Sequence, residues 1–284
     1  MRKIIFHTTR IVGIALLFTA CHYQPSIKTQ GYIEGKFTYI STPVSGALKT
    51  LNVARGSQVK QNQVLFTLDE QPEIDIYHAA AEQLKEAIAR KESADANLAL
   101  AKITLKRNAE LYRKQAVQKS ALDAAQTNYD TNIAALNEAS AAIVAAEAKL
   151  KQATWQKDQK IQTAPDDGIV FDTYYRLGEL VAATQPVLSL LAPANIKAIF
   201  YISEPQLSRV KLGDTVSIHC DGCSQVYSAK IAFISPQAEY TPPIIFSNDT
   251  NQKFVYRIEA GFPPEEAFNI HPGQPITVTY YPHG

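Results

Sequence analysis

Between Pro72 and Pro165 the chain carries neither glycine nor proline. A stretch that long with breakers only at its borders has one economical solution, a helix or a pair of helices. A 4-3 spacing picks out Tyr77, Ala80, Leu84 and Ala87, runs through Leu98, Ala101 and Leu105, and reaches Asn108 and Tyr112. After a gap the spacing resumes at Leu122, Ala125 and Tyr129 and runs through Leu136, Ile143 and Leu150 to Ala153. A sustained heptad is the signature of a coiled coil. Large residues hold one seam position and mostly alanine the other, which lets two backbones approach closely. Lys91, Asn108 and Asn132 are polar exceptions on the seam, and Glu86/Arg90, Glu110/Lys114 and Glu147/Lys151 are favourable i,i+4 pairs outside it. The register breaks only from Arg113 to Lys119, a connection short enough to make the helices antiparallel neighbours. Each arm is then about 60 Å long.

The segments flanking this hairpin resemble one another. GALKTLNVARGSQVKQNQVL begins at Gly46, and GIVFDTYYRLGELVAATQPVL begins at Gly168. Pro43 precedes the first as Pro165 precedes the second; Gly56 and Val59 are answered by Gly178 and Val181. Beyond that the copies read as slipped by one residue, Val64-Leu65 against Val187-Leu188. Glycine at a fixed offset supplies the positive φ of a tight turn, and β-branched neighbours favour extended chain. Two copies are too few for a solenoid. They predict two halves of one small sandwich, split by the hairpin.

The C-terminal third reads as short strands between Gly and Pro turns, namely IKAIFYI, TVSIH, AKIAFI, KFVYRIEA and ITVTYY, which predict a small antiparallel barrel. SEPQLSRV predicts one short helix, with Ser203 as N-cap, Pro205 in the first turn and Gln206 completing a capping box. Residues 235–252 read as a loop holding the apolar run TPPIIF. Cys220 and Cys223 flank Asp221-Gly222, a strong turn dipeptide, so a structural disulfide is the preferred reading. A thiol-redox CxxC pair and a metal site completed by His219 are the alternatives; no βαβ pattern supports the first, and no further ligands support the second. At the N-terminus a basic start, the apolar run IVGIALLF and LFTAC resemble a bacterial lipoprotein signal, with Cys21 as the acylated residue. That run is too short to span a bilayer. The 284 residues carry a net charge of +1 and no basic tract, so nothing points to nucleic acid. No phosphate loop, nucleophile elbow or metalloprotease helix is present.

Taken in order, these segments resemble the periplasmic adaptors, or membrane fusion proteins, of tripartite efflux pumps and type I secretion systems. The stretches LSRVKLGDTVSI, AKIAFISPQAEYTPP and HPGQPITV are similar in particular to haemolysin-secretion-D-type adaptors paired with ABC exporters. The resemblance implies an elongated, multidomain α+β protein. Its parts are a signal peptide over 1–21, a linker or N-terminal strand over 22–35, and a lipoyl-like half over 36–71. A helical hairpin follows over 72–163, the second lipoyl-like half over 164–192 and a β barrel over 193–284. It further implies a non-enzymatic, cofactor-free protein in the periplasm, anchored at the inner membrane through Cys21. Its partners would be an ABC-type exporter, a TolC-like outer-membrane channel and further copies of itself in a hexamer. The chain ends soon after the barrel, so the additional membrane-proximal domain of larger adaptors is expected to be absent or reduced. Family members that dock such a channel carry Arg, then Leu four residues on, then Ser seven beyond. Here these positions hold Arg107, Leu111 and Gln118, the last a departure from the pattern. Arg107 and Leu111 are expected on one exposed stripe, with Tyr112 turned to the seam. A lipoyl or biotinyl carrier shares the sandwich, but carries its modified lysine on a tight turn where this chain has the helices.

Overall fold

The computed structural model describes residues 26–223, 225–240 and 254–281. In chain order its elements begin with β1 (Ile27–Gly35), β2 (Thr38–Ser41), β3 (Gly46–Leu51), β4 (Gln58–Val59) and β5 (Val64–Leu68). Helices α1 (Gln71–Arg113) and α2 (Lys119–Asp158) follow, then β6 (Ile161–Thr163), β7 (Gly168–Thr173), β8 (Leu180–Val181) and β9 (Pro186–Leu191). The remainder comprises a short 3-10 turn (Pro193–Asn195), β10 (Ile196–Ser203), α3 (Glu204–Leu207), β11 (Thr215–His219), β12 (Tyr227–Tyr240), β13 (Phe254–Gly261), α4 (Pro264–Ala267) and β14 (Pro275–Tyr280). Two compact units result: Thr38–Leu190, and the chain up to Phe37 together with that from Leu191 onward.

In the first unit the repeat becomes a sandwich of two four-stranded sheets, ordered β2-β9-β7-β4 and β6-β5-β3-β8. Each sheet takes a short strand from the opposite copy, β4 beside β7 and β8 beside β3, so neither half is complete alone. The hydrogen bonds are reciprocal. Gly56 N–H donates to Val170 O as Gly178 N–H donates to Leu48 O, and Val170 N–H donates to Ser57 O as Leu48 N–H donates to Glu179 O, all at 2.8–2.9 Å. Gly56 (φ +84°) and Gly178 (φ +87°) occupy matching left-handed turns, as do Asn62 (φ 65°) and Thr184 (φ 69°). The core comprises Leu48, Leu65, Phe66, Leu68, Val170, Val187, Leu188 and Leu190, each at most 1% exposed.

The expected slip between the copies is absent. Asn52 N–H donates to Leu65 O and Tyr174 N–H to Val187 O, so Leu65 matches Val187 at the same offset that separates Gly46 from Gly168. The letters VL in both copies suggested a slip, but Pro186 takes the place of Val64. Val64 is 37% exposed, at a position where proline costs no core contact.

The hairpin bears out the heptad. Ala80, Ala87, Ala101, Ala125 and Ala153 are buried, while the larger seam residues, among them Leu84, Leu98, Leu136 and Leu150, are half-buried because a two-helix pair covers each from one side only. At 1.5 Å per residue the 43-residue α1 spans about 65 Å. Asn108 and Asn132 turn their amides back onto their own helices, donating to Thr104 O (3.0 Å) and Asn128 O (2.7 Å). Lys91 lies exposed. Of the expected outer pairs, Glu86–Arg90 closes at 2.6 Å.

The second unit is a closed barrel ordered β1-β10-β13-β12-β11-β14, filled by Ile33, Phe200, Val216, Ile218, Ile258 and Val278. Three sequence expectations change here. Residues 27–35, read as lying before the barrel, are its strand β1, paired with both β10 and β14. Gly31 allows that fit, since a Cβ there would lie 2.2 Å from Ile199 O. Residues 235–240, read as loop, complete β12, and Pro236 falls in the irregularity between Ile234 and Ala238, where a strand tolerates proline. Ser203 precedes α3 in extended conformation with Pro205 in the first turn, but its side chain makes no capping hydrogen bond, so no capping box forms. TPPIIF lies outside the described residues.

Candidate docking site at the hairpin tip

The tip is made where α1 must end without glycine. Lys114 closes the helix and Gln115 takes φ +59°. Gln115 N–H then donates to Tyr112 O and Ala116 N–H to Leu111 O, both at 2.9 Å. This pair of bonds is the Schellman arrangement, with a glutamine in the left-handed position that glycine ordinarily fills. Holding a side-chain-bearing residue there costs about 1–2 kcal/mol. Sequence reading missed it because the tip lacks the Gly that announces such a turn.

The same turn changes the expected roles. The Leu111 carbonyl accepts the wider-spanning of the two turn bonds, from the residue five positions on. Leu111 is half-buried rather than exposed, while Tyr112, expected on the seam, is 40% exposed. The seam shifts by one residue in the last turn of α1. Arg107 is exposed, and its side chain makes no hydrogen bond or ion pair among the described residues. Gln118 is the N-cap of α2, extended at φ −77° and ψ 156°, with its carbonyl accepting from Ala121 N–H at 3.1 Å. Its side chain caps nothing, leaving the amide exposed. Arg107 and Gln118 therefore present a cation and an amide near the tip, and Leu111 belongs at least partly to the turn itself. An arginine fork binds carboxylates or carbonyls in fixed geometry, and an exposed amide donates and accepts.

The other sequence-derived positions lie elsewhere. Cys220 and Cys223 are joined in this structure as a disulfide across Asp221-Gly222, with Cα atoms 5.3 Å apart. Cys220 is buried in the barrel core, and the Gln274 side-chain amide donates to Cys223 Sγ at 3.6 Å. His219 is exposed, and no group of three or more metal-binding side chains forms among the described residues. Cys21 lies outside the described residues. Among those described, no helix is long and apolar enough to cross a membrane.

On the outer face of the barrel sheet, Lys197 bonds Glu259 at 2.8 Å, and Arg257 bridges Glu259 (3.2 Å) and Glu34 (2.5 Å). Burial by itself would raise the Glu259 pKa, but the Lys197 hydrogen bond and the charges of Lys197, Arg257 and Lys36 outweigh it and hold the carboxyl below its ordinary range. Tyr280 lies 2.6 Å from Arg209 O and 2.7 Å from Asp214, sharing its proton between them; burial and that carboxylate push its pKa up to about 12. These groups serve the barrel and are not arranged around a cleft.

No family model matches the chain. A UPF0194 membrane protein of Acidithiobacillus ferridurans is 27% identical over 308 residues, covering 94% of this chain and 90% of the relative. A UPF0194 membrane protein of Yersinia pseudotuberculosis is 26% identical over 339 residues, covering 98% of each. Among solved structures, MacA from Actinobacillus actinomycetemcomitans superposes with a TM-score of 0.72 at 22% identity, over 90% of this chain and 79% of MacA. The membrane fusion protein Spr0693 from Streptococcus pneumoniae gives 0.63 at 17% identity, over 91% of this chain and 100% of Spr0693. The fold of this chain, a split sandwich carrying a helical hairpin together with a six-stranded barrel, is that of MacA and of the membrane fusion protein Spr0693.

Proposed function

We propose that this chain is the adaptor subunit that links an inner-membrane exporter of the ABC type to a TolC-like outer-membrane channel, for drug efflux or type I secretion. The observation that carries the reading is the hairpin tip. About 65 Å of paired helix, which the sandwich does not need for its own core, ends in an exposed guanidinium without a partner among the described residues and an exposed amide. Those groups suit a surface of carboxylates and backbone carbonyls, such as the inward-facing mouth of a channel offers. On this reading the protein acts without catalytic residues or cofactor, in the periplasm, as a ring of copies, a hexamer. Cys21 is its lipid anchor at the inner membrane. Several acyl chains suffice for stable anchoring, at about 0.8 kcal/mol for each buried CH₂.

Two other readings have less support. A lipoyl or biotinyl carrier needs a lysine on a tight turn between the halves, where this chain has α1 and α2. A thiol oxidoreductase needs an accessible attacking sulfur, whereas Cys220 is 3% exposed and Cys223 is half-buried against the barrel core. The test is a photo-crosslinking residue introduced in cells at Arg107, with Glu82 near the hairpin base as the control. A covalent adduct with an outer-membrane channel from Arg107 but not from Glu82 is expected. An adduct-free Arg107, in cells where deleting the gene leaves drug tolerance and secretion unchanged, would remove the reading.

A further inference from the structure

Lys160 is 2% exposed, and it stands where the hairpin rejoins the sandwich. Its Nζ donates to Ser45 O at 2.8 Å and pairs with Glu73 Oε1 at 2.9 Å. Three separate segments therefore meet on one ammonium: the link from α2 into β6, the first turn of α1, and the turn before β3. The space is reserved for it. A Cβ on Gly46 would lie 2.9 Å from Nζ, so any larger residue at the start of β3 displaces the cation. Gly46 does not take a positive φ, and a side chain there would press on the ammonium and, at 3.3 Å, on Leu68 Cβ.

The internal symmetry of the sandwich sharpens the point. At the offset relating the two halves, Lys160 corresponds to Thr38. The main-chain roles are conserved, since Leu68 N–H donates to Lys160 O where Thr38 pairs with Leu190. Only the copy from which the helices spring carries the cation. A second tether lies beside it, Thr42 Oγ1 donating to Gln159 O at 3.0 Å. The pair is also poorly made for stability alone, because Glu73 Oε2 is buried without a hydrogen-bond partner. Desolvating two charges with one carboxylate oxygen left unbonded does not repay its cost, and apolar replacement of such pairs is often neutral or stabilising. What an ion pair of fixed geometry supplies, and an apolar contact does not, is direction.

We propose that Lys160, through Glu73 and the Ser45 carbonyl, is a positioning residue that fixes the angle at which the hairpin leaves the sandwich, and so where its tip points. The geometric claim stands by itself; its consequence for channel docking rests on the function proposed above. The experiment measures distances between spin labels carried on genetically encoded ketone residues at Arg55 in the sandwich and Ala96 on α1, in the purified full chain. The unaltered protein is expected to give one narrow distribution. Lys160→Met should broaden it at least twofold and lower the melting temperature, since Glu73 is left buried and unpaired. Lys160→Met with Glu73→Leu should restore the melting temperature while the distribution stays broad, which separates direction from stability. Gly46→Ala, which keeps both charges and displaces Nζ, should also broaden it, and it remains informative if the double variant fails to fold. A double variant with the narrow distribution, or an unchanged distribution in Gly46→Ala, would overturn the proposal. Neither exporter nor channel enters the measurement, so these outcomes are independent of the docking function; Arg107→Asp, as control, should keep the narrow distribution.

Discussion

Arg107 and Leu111 lie one helical turn apart, yet the structure assigns their substitutions different consequences. Arg107 is exposed and unpaired among the described residues, so Arg107→Asp should alter hairpin stability by no more than about 0.5 kcal/mol, the usual range for such surface positions. On the docking role proposed above, its effect falls on the partner. A charge-assisted hydrogen bond contributes about 1.5–3 kcal/mol. At 1.4 kcal/mol per tenfold, affinity for the channel should fall by about 10- to 100-fold per tip. Leu111 is half-buried in the turn, and truncating it to alanine removes roughly half of the 1.5–3 kcal/mol that a fully buried leucine contributes, about 1 kcal/mol. For a unit the size of Thr38–Leu190 that lowers the melting temperature by about 3 °C. The assay pairs thermal unfolding of each purified variant with export in cells. Loss of export by Arg107→Asp at an unchanged melting temperature, together with a lowered melting temperature in Leu111→Ala, is the expected pattern. Unaltered export by Arg107→Asp would refute the docking role, and an unshifted melting temperature in Leu111→Ala would refute the turn role.

Four further outcomes follow from other positions. Gln118→Ser puts a good N-cap at the start of α2, where the glutamine caps nothing, and should stabilise the hairpin by about 1 kcal/mol in chemical unfolding; any gain in channel capture must be read against that. The depressed Glu259 carboxyl contributes barrel stability that is present above its ordinary pKa of 4.5 and lost as pH falls below it, so Glu259→Gln should flatten the unfolding profile in that acid window. Tyr280→Phe removes the hydroxyl shared by Arg209 O and Asp214 and should cost about 1–3 kcal/mol by denaturant titration. Peptide mass spectrometry of material prepared without reductant should show Cys220 linked to Cys223, and two free thiols in periplasm-derived protein would contradict it.

What the sequence disclosed, it disclosed through period and punctuation. The heptad from Tyr77 to Ala153 located both helices and the buried alanines, because a repeated 4-3 spacing leaves only one face to cover. The glycine offsets disclosed the duplicated sandwich. Errors arose wherever a residue type stood in for geometry. Matching VL letters implied a slip that the carbonyl acceptors Leu65 and Val187 rule out. The loop read over 235–252 begins instead as the end of β12, where an irregularity between Ile234 and Ala238 accommodates Pro236. β1 was left out of the barrel because ring closure is a long-range pairing, Gly31 opposite both Phe200 and Ile276, and no local period encodes it. At the tip, a heptad extrapolated to its last turn put Tyr112 inward. Tyr112 instead lies 40% exposed, in the last turn before the chain leaves the helix at Lys114 and Gln115.

The attachment of the hairpin explains how one chain can carry a long arm without disturbing its sandwich. α1 leaves from β5 and α2 returns through β6, and these two strands are hydrogen-bonded neighbours in one sheet. Paired strands lie about 4.8 Å apart and packed helices about 8–10 Å, so exit and return need little adjustment. The few residues between strand and helix absorb it. Asp69 N–H donates to Ala47 O at 2.8 Å, and Lys157 Nζ stands 4.6 Å over the Tyr77 ring. The core of the sandwich is closed by strands exchanged between the halves, none of which comes from the helices. Arm length is thereby uncoupled from the stability of the sandwich, and whole heptads added to both helices would move the tip without altering either sheet. Arm direction is not uncoupled: it depends on the few side chains at the junction, where a small change in angle is multiplied over the length of α1.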